Sequence, residues 1–224
     1  MKIKYFLQLI TLFFILFVGA NFSAQANIGE NRARTWAQGK GEEILQILTS
    51  QDTEAKYNKL DQILTQDADL DYIAKFIMGK YWRLMTVEQQ ENYRQLFDRY
   101  IHAVYKSYPL DLQQGDVTFQ IDKIISNASD TEVLCTIFIK NLEKVVDEKS
   151  AGGIKVIFRL VENGGKIQLR DLKIGESSLL LSFRNRFYKM IHEDSDDEIE
   201  WFLEDFATMI DDLEEKNEKM YSEP

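Results

Sequence analysis

The residues of this chain that can do chemistry are few and scattered. There are two histidines, His102 and His192, and one cysteine, Cys135. A zinc site needs imidazole or thiolate partners at short spacing, and neither histidine has a His or Cys so placed. There is no Gly-x-Ser-x-Gly elbow, no glycine-rich phosphate loop and no His-Glu-x-x-His. Gly152-Gly153 and Gly164-Gly165 read as turns. Asp194, Asp196, Asp197 and Glu198 have the density of a calcium loop. Counted from Asp194, however, position six is Ile199 instead of Gly, and position twelve is Asp205 instead of Glu. Asp171 paired with a helix carboxylate would give an acid and a base without a local motif, and it is the one enzymatic arrangement left. The chain therefore reads as a non-enzyme with no metal and no cofactor.

What recurs instead is apolar surface. From Thr35 to Tyr105 the pattern is helical. A first helix is expected from Thr35 to Leu48 and a polar one from Glu54 to Leu64. Asp69 is placed to cap a third, which carries Tyr72, Ile73, Phe76 and Ile77 on one stripe and ends at Gly79. Thr86-Val87-Glu88-Gln89 has the form of a capping box. The helix that it opens carries Tyr93, Leu96, Phe97, Tyr100, Ile101, Val104 and Tyr105, and Pro109 stops it.

The period then becomes two. Val117, Phe119 and Ile121 alternate with polar residues. The segment around Val133, Cys135, Ile137 and Ile139 is apolar on both faces, as in an interior strand. Ile154, Val156, Phe158 and Leu160 mark a third strand, and Asn163-Gly164-Gly165 is a hairpin turn. Ile167 and Leu169 lie on one parity while Leu172 and Ile174 lie on the other. That slip predicts a bulge near Arg170-Asp171, which would bend the sheet. Leu179, Leu180, Phe183, Phe187, Met190 and Ile191 return to helical spacing. The expected fold is α+β: a curved, mostly antiparallel four-stranded sheet with helices packed on its concave side, and a sheet so bent can wrap a cavity.

The chain has 224 residues, 45% hydrophobic and 29% charged, enough for a sizeable core. A net charge of -10 argues against a nucleic-acid partner. Lys2 and Lys4, the apolar run Tyr5–Val18 and the Ala24-Gln25-Ala26 site form a secretory signal, with cleavage expected after Ala26. The reading is thus an exported domain over 27–203 and an acidic helix or tail over 204–224. In an oxidising compartment the lone Cys135 reads as a buried core thiol. Residues 193–223 hold 14 Asp and Glu against Lys216 and Lys219, while 27–192 are balanced. The acidic segment carries Trp201, Phe202, Phe206, Met209, Ile210 and Leu213 at helical spacing. Its charge suits either a solvated face or a docking face for a basic partner.

Two segments carry a family likeness. Residues 71–82, Asp-Tyr-Ile-Ala-Lys-Phe-Ile-Met-Gly-Lys-Tyr-Trp, lead into Thr86–Gln90 and the aromatic helix. Asp171-Leu172-Lys173-Ile174 is followed by Ser178–Phe187, Ser-Leu-Leu-Leu-Ser-Phe-Arg-Asn-Arg-Phe. In this order they resemble the MlaC family, also known as toluene-tolerance proteins, over most of 35–203. One departure is Glu193–Glu198, which has no Gly where the family usually has a Gly-rich turn.

The resemblance implies a periplasmic carrier of phospholipid without enzymatic activity. It implies exchange between an outer-membrane lipoprotein complex and an inner-membrane ABC transporter complex that maintain outer-membrane lipid asymmetry. The alternatives are another apolar lipid such as a hopanoid, or an adaptor that docks through its acidic helix. Two chains of about 16 carbons expose roughly 30 methylenes, on the order of 24 kcal/mol in water, so a carrier must enclose them. By themselves the large apolar residues fit an ordinary core as well as a lined cavity. With the resemblance, the candidates for lining it are Phe76, Phe97, Ile101, Phe119, Ile137, Ile139, Val156, Phe158, Leu172, Leu180, Phe183 and Phe187. Arg184 is placed at the mouth, either facing a phosphate or in a surface salt bridge.

Overall fold

Side-chain caps set the start of most helices. The computed structural model describes residues 28–50, 52–107, 117–139 and 153–222. The secretory signal and Pro109 lie outside these. Helix α1 spans Glu30–Leu48 and α2 spans Thr53–Asp67, opened by the Asp52 carboxylate accepting from the Ala55 N–H. Helix α3, Leu70–Met78, is capped by Asp69 accepting from Tyr72, and Gly79 ends it at φ 50°. A 3-10 turn, Tyr81–Arg83, leads to α4, Val87–Lys106. The Thr86 capping box is present in both halves: Gln89 N–H donates to Thr86 Oγ1 and Thr86 N–H to Gln89 Oε1.

Helix α1 begins five residues before the expected Thr35. Residues 30–34 are polar apart from Ala33, so periodicity cannot register them. Ala33 is nevertheless fully buried against the sheet, and Ala37 beside it is buried too. Helix α2 runs on to Asp67, which is buried and ion-paired with Lys40 of α1 at 2.8 Å.

The sheet is antiparallel throughout, in the order β1 (Val117–Ser126), β2 (Thr131–Ile139), β3 (Ile154–Asn163), β4 (Lys166–Ile174) and β5 (Ser177–Ser178). Asn163 pairs with Lys166 across Gly164 and Gly165, both at positive φ, the conformation a two-residue hairpin needs. Arg159 pairs with Asp171 and Leu160 with Leu169, so Arg170 is the extra residue of the expected bulge. A second bulge, at Asp122 in β1, was not expected, although the inward apolar positions slip there too, from Phe119 and Ile121 to Ile124. The sheet has five strands where four were expected. The fifth is two serines returning on β4 after Gly175, too short to show a period.

Helix α5 spans Leu179–Lys189, capped by Ser178, and continues as a π turn over Met190–Asp194. Helix α6 runs unbroken over Ile199–Ser222. It crosses 203/204 without interruption and buries Phe202, Leu203, Phe206 and Ile210, so the acidic segment is part of the folded body. The stretch without glycine is accommodated by Asp196 and Asp197 at φ 47° and 62°, a left-handed conformation that Asp tolerates better than most residues.

Apolar side chains form two clusters. In one, α1 lies on the sheet: Ile28, Ala33 and Ala37 meet Val133, Cys135, Val156, Leu160 and Ile167. The other is aromatic and helical, joining α3, α4, α5 and α6 through Ile77, Tyr93, Phe97, Tyr100, Phe187, Phe202 and Phe206. Among the described residues, no helix is long and apolar enough to cross a membrane.

Candidate functional site

The lining candidates divide between the two clusters. Phe97, Leu180 and Phe187 are buried in the helical one, with Phe76, Ile101 and Phe183 partly buried around them. Val156 is buried in the sheet cluster, with Ile137, Phe158 and Leu172 partly buried beside it. Phe119 of β1 brings the tip of its ring against α1 at Gly41, where a Cβ would stand 2.2 Å from it. Ile139 pairs through its backbone with Val117, and its side chain lies outside the described part.

Polar contacts along β4 join the clusters. Asp69 N–H donates to the Leu169 carbonyl at 2.9 Å, and Arg170 binds the Asp69 carboxylate at 2.8 Å while lying over the Tyr72 ring. Arg159 donates to the Tyr72 hydroxyl at 3.2 Å. Asp171, considered above as an acid–base residue, is buried. It accepts from Ser178 Oγ at 2.8 Å and from the Leu180 N–H at 3.2 Å, which holds the start of α5 on the sheet. Asp171→Ala should therefore cost about 1–3 kcal/mol, the usual result of leaving buried donors unsatisfied. A denaturant titration measures this. A lost turnover with unchanged stability would favour the acid–base reading instead.

Arg184 does not make a surface salt bridge. Its guanidinium donates through Nε to the Phe76 carbonyl at 2.8 Å, a second donor reaches the same oxygen, and the plane stacks over the Phe76 ring at 3.6 Å. The exposed end of a helix supplies carbonyls without an intrahelical partner, and Arg184 takes one of these.

The other reactive groups are also held by neighbours. His102 lies against Asp61 and 3.7 Å from Asp98, and Asp61 further binds Lys106 at 3.0 Å. Burial pushes the Cys135 thiol up to about 11, so it stays protonated and unreactive at neutral pH. Among the described residues no group of three or more His, Cys, Asp or Glu is arranged to hold a metal.

Sequence reasoning missed one constellation. Lys80, Tyr81, Tyr188, Lys189, His192 and Asp197 line a surface cavity of about 340 Å³. Gly79 makes it: at φ 50° a Cβ there would stand 2.2 Å from the Tyr188 hydroxyl, which instead accepts from the Lys80 N–H at 2.9 Å. Asp197 accepts from Tyr81 at 2.6 Å and lies 2.8 Å from His192 Nδ1, and these hydrogen bonds hold its carboxyl below the ordinary range. The only local signal is that a Lys–Tyr and a Tyr–Lys pair, far apart in sequence, meet here. A second cavity of about 290 Å³ lies between α1 and α2 and is lined by Lys40, Glu43, Gln62 and Gln66 among others.

The order of elements, the aromatic helical cluster and the bulged sheet can be set beside known proteins. The model of the family described as MlaC protein matches residues 39–208. The chain belongs to the MlaC family. A solved structure with the same fold is a phospholipid-binding protein from Ralstonia solanacearum in complex with a phospholipid. It is 16% identical, with a TM-score of 0.62, over 81% of this chain and 98% of that one. At that identity the likeness shows the fold alone. No curated protein matches the chain. The match over 39–208 reaches from within α1 to within α6 and takes in the tyrosine-lined cavity, the bulged strand and most of both clusters, leaving Ile28, Ala33, Ala37 and Ile210 outside it.

Proposed function

We propose that this MlaC family member is a carrier of phospholipid. It works in the periplasm, between an outer-membrane lipoprotein complex and an inner-membrane ABC transporter complex. Family membership over residues 39–208 is the observation that carries the reading. The phospholipid bound to the Ralstonia protein of the same fold supports it. The N-terminal Lys2–Ala26 segment supports export. The role of Asp171 in holding the start of α5 gives that carboxylate a structural task and so favours a carrier over the acid–base reading.

Acyl chains need far more apolar enclosure than either cavity above offers. In this reading they lie between the sheet cluster and the helical cluster, along the seam where Asp171 of β4 holds Ser178 and the Leu180 N–H of α5. Opening that seam costs the contacts of a few β4 side chains, and burial of the chains offsets it.

Native mass spectrometry of the purified protein, followed by organic extraction, tests this. The expected result is one phospholipid per chain. A mass without lipid that stays unchanged after incubation with phospholipid vesicles would sink the proposal. A hopanoid in the extract would keep the carrier and change its cargo.

A further inference from the structure

The surface cavity holds groups of two kinds. Tyr81 and Tyr188 form a corner, their ring planes at 83° and centroids 5.1 Å apart. Lys80 Nζ sits 4.6 Å from the Tyr81 centroid and 5.7 Å from that of Tyr188. The Asp197 carboxylate stands beside the corner, tied to the Tyr81 hydroxyl at 2.6 Å. Two aromatic faces with an adjacent carboxylate suit an ammonium, because the ring quadrupole attracts the cation while the carboxylate accepts its N–H donors. Here the corner holds an ammonium of the chain itself. Lys80 is exposed on a flexible stem, so an incoming cation can displace it. Lys189 lines the same cavity, and its counter-charge Glu193 is 3.6 Å away with both side chains exposed, a weak pair. Two lysines are thus at hand for a phosphate. Tyr81 is buried against the helical cluster, so the floor of this cavity is the outer skin of that cluster.

We infer that the cavity binds a zwitterionic aminoalkyl phosphodiester. Its ammonium takes the place of Lys80 on the Tyr81–Tyr188 corner beside Asp197, and its phosphate lies between Lys80 and Lys189. The inference rests on the carrier reading and adds a head-group preference to it. The same chemistry occurs in phosphatidylethanolamine head groups and in free glycerophosphodiesters.

The first arm incubates the protein with vesicles of equal phosphatidylethanolamine and phosphatidylglycerol, re-isolates it and quantifies the extracted lipid. Phosphatidylethanolamine should exceed phosphatidylglycerol by about fivefold, as one cation–π contact allows. The ratio should fall to about one in Tyr188→Leu and in Asp197→Asn, and persist in Tyr188→Phe, which keeps the ring. Asp197 is exposed, so its variant reports even if Tyr188→Leu does not fold. Equal recovery by the unmodified protein, or a preference that survives both substitutions, overturns the inference and leaves the carrier standing. The second arm titrates glycerophosphoethanolamine. Saturable binding lost in Asp197→Asn extends the site to the free diester, and its absence beside a lipid preference confines the site to lipid. If no lipid is recovered at all, the carrier reading fails, and this titration alone decides the site.

Discussion

A chain ending at Leu203 will not fold cooperatively. Such a truncation removes most of α6, and with it Phe206 and Ile210, both fully buried. The Phe206 ring stacks on Phe202 at 5.5 Å and meets Phe187 at 5.1 Å and Tyr100 at 5.3 Å. Burying a Phe or an Ile side chain contributes about 1.5–3 kcal/mol each. Their loss also bares the rings left behind. Asn217, whose side-chain amide donates to the Ala103 carbonyl at 2.8 Å, is lost too, as are Asp211 and Glu214, which bind Arg99. The sum consumes most of the roughly 5–15 kcal/mol that holds a domain folded. Far-UV circular dichroism during heating should show no sharp transition. A truncated chain that melts cooperatively within a few degrees of the intact one would show that α6 is an appendage after all. Deletion therefore cannot separate a docking role of this segment from its packing role. Neutralising the exposed Glu204, Asp205, Asp212 and Glu218 can, because surface changes of this kind usually alter stability by no more than about 0.5 kcal/mol each.

Phe187→Ala should be the most damaging single substitution. Phe187 is wholly buried, and its ring centroid lies within 6.4 Å of those of Tyr93, Phe97, Tyr100, Phe202 and Phe206. It therefore links α4, α5 and α6 at one point. Truncating a buried Phe to Ala costs about 3–5 kcal/mol, the lost transfer energy plus an unfilled cavity. For a domain of this size the midpoint of thermal unfolding should fall by about 10 °C. Phe187→Leu keeps most of the volume and should lose less than half as much. Equal losses for Leu and Ala would mean that ring geometry, not filled volume, stabilises the cluster.

Legibility differed with the kind of information each element needed. The capping boundaries at Asp69, Thr86 and Ser178 are decided within four residues, and the first two were read correctly. The bulge at Arg170 was visible because it shifts an apolar alternation by one residue. The bulge at Asp122 makes the same kind of slip, from Ile121 to Ile124, but the neighbouring Ile125 blurs it. The early start of α1 escaped because a small alanine that is buried looks the same in sequence as one that is exposed. The π turn at Met190–Asp194 was unreadable, since one extra backbone residue per turn leaves no compositional trace.

The sequence by itself determined the main helices, four of the strands, their order and the family, because caps, periods and turn residues act locally and the two signature segments are contiguous. The tertiary structure alone decided partnership. It placed the apolar residues in two clusters joined along β4, gave Arg184 a backbone carbonyl in place of a carboxylate, and built the acidic helix into the core. It also brought Lys80-Tyr81 against Tyr188-Lys189 and Asp197. Such contacts join residues roughly a hundred positions apart. They depend on how helix faces rotate and where one chain segment crosses another, and no spacing along a single sequence records that.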